Sequence, residues 1–171
     1  MKKLLFFLAH LDDFELACYG YLIKNHKDYQ NITIVMASTW EPKVKIWEEN
    51  LQILEKMIDR KIDYINLGQE QRRLNTNFDS LKDDFYNTID FNKYRFDIIT
   101  HDMNDCHTDH VVVHNIAKGM YKYSERFITV YSPSSANFNP NYWIGLNKKE
   151  YLKKKQMLDK YDKVLSNHIA N

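Results

Sequence analysis

The sequence predicts an α/β fold of Rossmann-like type, a mostly parallel sheet of about five strands flanked by helices, and three observations carry that expectation. Short apolar bursts recur at 3–8 (KLLFFL), 32–36 (ITIVM), 64–67 (YINL), 97–100 (DIIT) and 127–131 (FITVY). The gaps between them carry apolar residues at helical spacing, which makes each connection a crossover helix and the strands parallel. No internal repeat, low-complexity tract or linker interrupts the pattern, so residues 1–171 read as one domain.

Taken in order, the first burst reads as an apolar strand, with Leu4, Leu5, Phe6, Phe7 and Leu8 in succession. Helices are expected at 14–25, 44–58, 78–89, 109–123 and 148–165. In the second of these, Ile46, Trp47, Leu51, Leu54, Met57 and Ile58 form the apolar stripe. The stretch 132–143 (SPSSANFNPNYW) reads as a turn-rich loop. In its last residues, packing over the sheet edge is the expected use of Tyr142 and Trp143, ahead of stacking on a ligand.

Composition narrows the function. Lys and Arg number 24 against 23 Asp and Glu, a balance without the basic footprint of a nucleic-acid or anionic-membrane binder. No apolar run approaches the roughly 20 residues that span a bilayer, so no membrane insertion is expected. The opening MKKLLFFLAHLDD imitates a signal peptide, but its apolar core is short and ends in charge with no small-residue cleavage site. With two cysteines, too few for a disulfide framework, the expectation is a cytoplasmic protein. A homo-oligomer is left open.

The chemistry concentrates in two stretches, each following a predicted strand. In AHLDDFE, His10 is followed by Asp12, Asp13 and Glu15, and carboxylates this close repel unless a cation sits among them. His10 and Asp13, three apart in a turn, can converge on one point. In HDMNDCHTDH, His107 and His110 are again three apart at a helix start. Either motif alone is commonplace. Together they fall on the carboxyl edge of one sheet, where such folds bind ligands. Two protein ligands from one loop and one from the other would leave an open position for water, the pattern of catalytic zinc. Nitrogen and carboxylate donors do not exclude Fe2+, cobalt or manganese. His101 is expected behind the ligands, His114 packed one turn further along its helix, and His26 and His168 in solvent. A thiolate ligand at Cys106 is disfavoured by its adjacency to His107.

These residues resemble a known family. AHLDDFE resembles the A-H-P-D-D-x-E signature of the PIG-L/LmbE-like deacetylases, and HTDH resembles their H-x-D-H signature. Weaker echoes are QRRLN after the third strand and FNPNYW near the end. The resemblance implies a zinc-dependent hydrolase that removes an N-acyl group, usually acetyl, from a small-molecule amino sugar or nucleotide sugar. It implies His10, Asp13 and His110 as zinc ligands, Asp12 as general base, His107 as the group that stabilises the oxyanion or leaving amine, and Asp109 as the carboxylate that orients His107. Arg72 and Arg73 are candidates for an anionic part of the substrate, and Asp105 for a further substrate contact. Leu11 replaces the usual proline, and the usual basic-x-x-Glu on the second helix is matched by Lys45 and Glu48.

Competing readings are a non-catalytic metal-binding relative, an amidase for a non-sugar N-acyl substrate, a receiver-like signalling domain and an acidic-loop phosphotransfer enzyme. The receiver needs a carboxylate closing the third strand, where YINLGQ has none, and gives no role to His107 and His110. The phosphotransfer enzyme wants D-x-D where this chain has D-D-F-E.

Overall fold

The structure is a computed structural model describing residues 2–91 and 94–169, with side chains described as far as residue 164. Among these residues β1 (Lys2–Leu8), β2 (Tyr29–Thr39), β3 (Asp63–Glu70), β4 (Phe96–His101) and β5 (Ser124–Val130) form one sheet. Its order is β3-β2-β1-β4-β5, and every pairing is parallel. The helices are α1 (Tyr19–Asn25), α2 (Glu41–Ile58), α3 (Phe78–Thr88), α4 (Thr108–Lys118) and α5 (Lys148–Ile169). None of them is long and apolar enough to cross a membrane.

The period-two alternation of β1 builds two cores. Leu4, Phe6 and Leu8 face a cluster with Tyr19 and Leu22 of α1, Trp47, Leu54 and Ile58 of α2, and Met157 of α5. Leu5, Phe7 and then Ala9 face the other side, with Leu81 and Phe85 of α3 and Val112, Val113 and Ile116 of α4. Phe6 meets Phe14 edge-on with ring centres 5.0 Å apart, while Phe7 stacks on Phe85 at 3.9 Å. A central strand covered on both faces has to be apolar throughout, which accounts for the opening burst.

The connectivity also fixes where a ligand fits. From β1 the chain steps outward through β2 to β3, then returns to place β4 on the other side of β1. The loops leaving β1 and β4 therefore diverge and open a crevice at the carboxyl edge.

Several boundaries differ from expectation. The predicted helix 14–25 is two pieces, a π-helical turn Phe14–Cys18 followed by α1. The wider turn buries Glu15, whose carboxyl accepts from Asn50 Nδ2 at 2.7 Å and Tyr161 Oη at 3.2 Å. The predicted helix 109–123 stops at Lys118 and resumes as a 3-10 turn at Tyr121–Tyr123. Tyr142 and Trp143 do not cover the sheet edge. Trp143 is 79% exposed, while the neighbouring Ile144 and Leu146 pack inward against Gly20 of α1 and the core beside it.

Removing the Phe7 ring would leave a void between β1 and α3. Phe7→Ala is expected to lower unfolding free energy by about 3–5 kcal/mol, read from the midpoint of chemical denaturation at unchanged slope.

Candidate metal centre

The turn leaving β1 is built by its own polar groups. Asp13 Oδ2 accepts the His10 N–H at 2.7 Å, and the Asp13 N–H donates to the His10 carbonyl at 3.2 Å. Behind it, the Ala9 carbonyl accepts from both N and Oγ of Ser38 on β2. These bonds fold His10 and Asp13 back over the crevice without a proline at position 11. On the other lip, His107 caps α4 by accepting the Asp109 N–H on Nδ1 at 3.2 Å, and His110 is the third residue of the helix, in its first turn.

Two imidazole nitrogens and the two oxygens of one carboxylate meet across the crevice. His10 Nδ1 lies 3.3 Å from Asp13 Oδ2 and 3.3 Å from His110 Nε2, and His110 Nε2 lies 3.4 Å from Asp13 Oδ1. The far nitrogen of each imidazole is held by a carboxylate: Asp109 Oδ2 is 3.1 Å from His10 Nε2, and Asp105 Oδ2 is 2.9 Å from His110 Nδ1. A ring N–H that donates outward to a carboxylate leaves the inward nitrogen as a bare lone pair. With the inward positions deprotonated, two nitrogens and a carboxylate offer lone pairs to one point, where a cation can sit; without an ion, a proton on His10 pairs it with Asp13. Metal–ligand bonds of about 2.0–2.1 Å in a tetrahedron put neighbouring ligand atoms about 3.3–3.4 Å apart. The donor set therefore fits a zinc-sized ion in chemistry, and the two nitrogens stand at that spacing, each with a different oxygen of Asp13 at a like distance.

Two other trios of potential ligands lie close by, Asp13–His101–His110 and His10–His107–His110. The first is disfavoured because His101 Nε2 already accepts the Ala9 N–H at 3.0 Å. His101 is instead fully buried with its ring stacked 3.8 Å from that of His110, and His114 Nδ1 binds the His101 carbonyl at 2.8 Å. His107 is half-buried, its ring centre 4.7 Å from those of both His10 and His110, so it borders the same point from the solvent side.

Electrostatics follow from this crowding. Burial alone would lower His10, but Asp13 and the bonds to Asp109 and Asp13 outweigh it and push the imidazole up to about 10. His110 is raised in the same way by Asp13 and Asp105 against burial. Burial would raise Asp13, yet His10 and His101 hold it well below the usual carboxylate range. His107 goes the other way: burial, then the neighbouring imidazoles, lower it. Glu15 is pushed up by burial to about 8, against the bonds from Asn50 and Tyr161 that favour its charged form.

The remaining predicted residues divide. Asp12 turns away from the three acceptors and pairs with Lys43 Nζ at 2.6 Å. Lys43, not Lys45, is the basic residue of the second helix that reaches the crevice; Lys45 and Glu48 are exposed. A lysine on the buried stripe with Trp47, Asn50, Leu54 and Ile58 was the legible signal for it. Asp105 does not reach toward a substrate. Its side chain is fully enclosed, accepting from Ser132, Ser134, His110 and the His107 N–H, which keep it well below the usual range although burial opposes this. Asp109 does not hydrogen-bond His107 through its carboxylate; it binds His10 and the Arg72 N–H at 2.6 Å, so the histidine it orients is His10. Arg72 is held at φ 64° with its side chain exposed, whereas Arg73 points to Glu70 at 3.5 Å on the surface. Cys106 is exposed, His26 binds the carbonyls of Leu22 and Ile23, and the side chain of His168 lies outside the described residues.

No protein-family model and no curated protein matches the chain. Solved structures do. An N,N'-diacetylchitobiose deacetylase from Pyrococcus horikoshii, in complex with an inhibitor, superposes with a TM-score of 0.68 at 16% identity over 94% of this chain and 70% of that one. A zinc-inhibited form of the teicoplanin deacetylase Orf2 gives 0.63 at 12% identity over 94% and 84%. A 4-carboxy-2-hydroxymuconate hydratase from Pseudomonas putida KT2440 gives 0.56 at 15% over 96% and 84%. The chain has the fold of these enzymes.

Protons compete with an ion for His10. Metal affinity is expected to rise about tenfold per pH unit between pH 6 and 9, where binding displaces one proton. The metal-free protein should lose stability over the same range, because a folded-state value above the ordinary 6.5 favours folding only while the group is protonated. The melting-temperature gap between loaded and metal-free protein therefore widens as pH rises. Asp105→Asn and Asp109→Asn are each expected to weaken metal binding about 10–100-fold in a chelator competition.

Proposed function

We propose that this protein is a metal-dependent N-deacetylase of the PIG-L/LmbE-like type, acting on an N-acylated amino sugar or nucleotide sugar, with zinc as the preferred ion and Fe2+ as an alternative. The observation that carries the reading is the convergence of His10, Asp13 and His110 as acceptors at the sheet crevice, with Asp12 and His107 beside them. Two of the matching folds belong to deacetylases, and the hydratase on the same fold means that the site and not the scaffold has to decide the reaction.

When bound, the ion would supply a Lewis acid that polarises the acyl carbonyl and eases deprotonation of water near neutral pH. The chain supplies the rest. Asp12, kept out of the ligand set by Lys43, takes a proton from the attacking water. His107 is neutral, its Nδ1 occupied by the Asp109 N–H, so its Nε2–H donates to the oxygen on which charge develops. The proton taken by Asp12 is returned to the departing amine as the C–N bond breaks, leaving acetate and a free amino group. Arg72, at the rim after β3, is placed to meet an anionic part of the substrate.

An acetate-release screen over N-acetylated sugars, nucleotide sugars and non-sugar amides tests the reading; stoichiometric metal with no release from any of them would favour a non-catalytic relative. With an active substrate in hand, Asp12→Asn and His107→Ala should keep the metal and lose about 10²–10⁴-fold in kcat, whereas Asp13→Ala loses the metal itself. Arg72→Ala should raise KM for an anionic substrate with little change in kcat, and Arg73→Ala should change neither.

A further inference from the structure

The turn that carries His10 and Asp13 is gripped from outside by the last helix. The Tyr161 hydroxyl of α5 lies 3.2 Å from the Leu11 carbonyl and 3.2 Å from Glu15 Oε1, its one proton shared between the two acceptors. Lys154, two turns earlier, donates to the Leu16 carbonyl at 2.7 Å. Asn50 of α2 ties the same assembly together, giving Nδ2 to Glu15 Oε1 at 2.7 Å and to the Met157 carbonyl at 3.4 Å. Tyr161 is only 2% exposed and its ring lies 5.8 Å from Lys43 Nζ, the ammonium that holds Asp12. One side chain 150 positions downstream in sequence thus touches the peptide between the two ligand residues and the cation that holds the candidate base.

We infer that Tyr161 is a positioning residue for the metal centre, with its hydroxyl fixing the Leu11 peptide so that His10 and Asp13 stay converged. The inference rests on the metal-site reading above. Leu11 brings no ring to stiffen the turn, and an unrestrained peptide at this point could rotate and swing both ligands apart. The Leu11 carbonyl faces a fully buried surround, so the Tyr161 bond is also what satisfies it. The contact with Glu15 adds direction: a carboxyl anchored by Asn50 keeps the hydroxyl at the turn.

Tyr161→Phe removes the hydroxyl and keeps the ring. Zinc dissociation constants measured by competition with a chromophoric chelator should rise about tenfold, the lower end for a partner one step behind the ligands. The gap in melting temperature between zinc-loaded and metal-free protein should narrow accordingly. Lys154→Met, which frees the same segment one turn on, should shift the constant in the same direction by less. Tyr21→Phe, a buried tyrosine bonded to Tyr29 and far from the turn, serves as the control and should leave zinc affinity unchanged. A purely structural Tyr161 would lower both melting temperatures equally at constant zinc affinity, and that result overturns the inference. Wild-type affinity in Tyr161→Phe and Lys154→Met together overturns it as well. Failure of the wild-type chain to bind zinc at all would instead overturn the metal-site reading, and this inference with it.

Discussion

Three electron-pair donors facing one another across about 3.3 Å are the constraint on which the rest of this structure depends. Burial opposes charge on all three of His10, Asp13 and His110, and the two imidazoles disfavour each other's protonation, so the fold has to hold them there. It does so from behind, with Asp109 and Asp105 each taking the outward proton of an imidazole. Those carboxylates are themselves fixed, Asp109 by the backbone of the loop after β3 and Asp105 by serines of the loop after β5. Loops from four of the five strands thus meet at one point. The sheet order brings this about, since β1 lies between the strands that lead to each supporting loop.

Charge is distributed with equal economy. Asp12 and Asp13 are neighbours, yet only Asp13 faces the acceptors. Lys43, on the buried stripe of α2, captures Asp12 at 2.6 Å and holds it beside the crevice without letting it join the ligands. Glu15, two positions further on, is enclosed by Asn50 and Tyr161, and burial raises it to about 8. Three acids within four residues therefore have three environments: ion pair, acceptor cluster and buried hydrogen-bonded carboxyl. Side-chain direction in the turn and the following π-helical turn decides which is which.

The alternation of apolar bursts and helical segments made the sheet legible, and two histidine motifs on one sheet edge pointed to the crevice. What could not be read was contact between residues distant in sequence. Spacing cannot say that the Asp109 carboxylate serves His10 rather than its neighbour His107, because this depends on how α4 approaches β1. The same holds for Asp105, an acid next to a histidine motif that looks available in sequence but is sealed by Ser132 and Ser134. Lys43 was missed by matching a spacing instead of asking which cation lay on the buried helix face. Size and apolarity suggest packing for Trp143, but its loop turns it outward while Ile144 and Leu146 pack inward against α1.

The all-apolar character of β1 has a cost in the unfolded chain. Leu4 to Ala9 is a six-residue stretch of high strand propensity without proline or charge, the kind of segment that pairs with copies of itself when exposed. One of its proper partners, β4, begins at Phe96 and is made much later during synthesis. In the interval the stretch is bracketed by Lys2 and Lys3 on one side and Asp12 and Asp13 on the other, charges that oppose stacking of identical strands. The acids that shape the crevice in the folded protein thus also act as gatekeepers before it folds, and neutralising them would threaten solubility as well as chemistry.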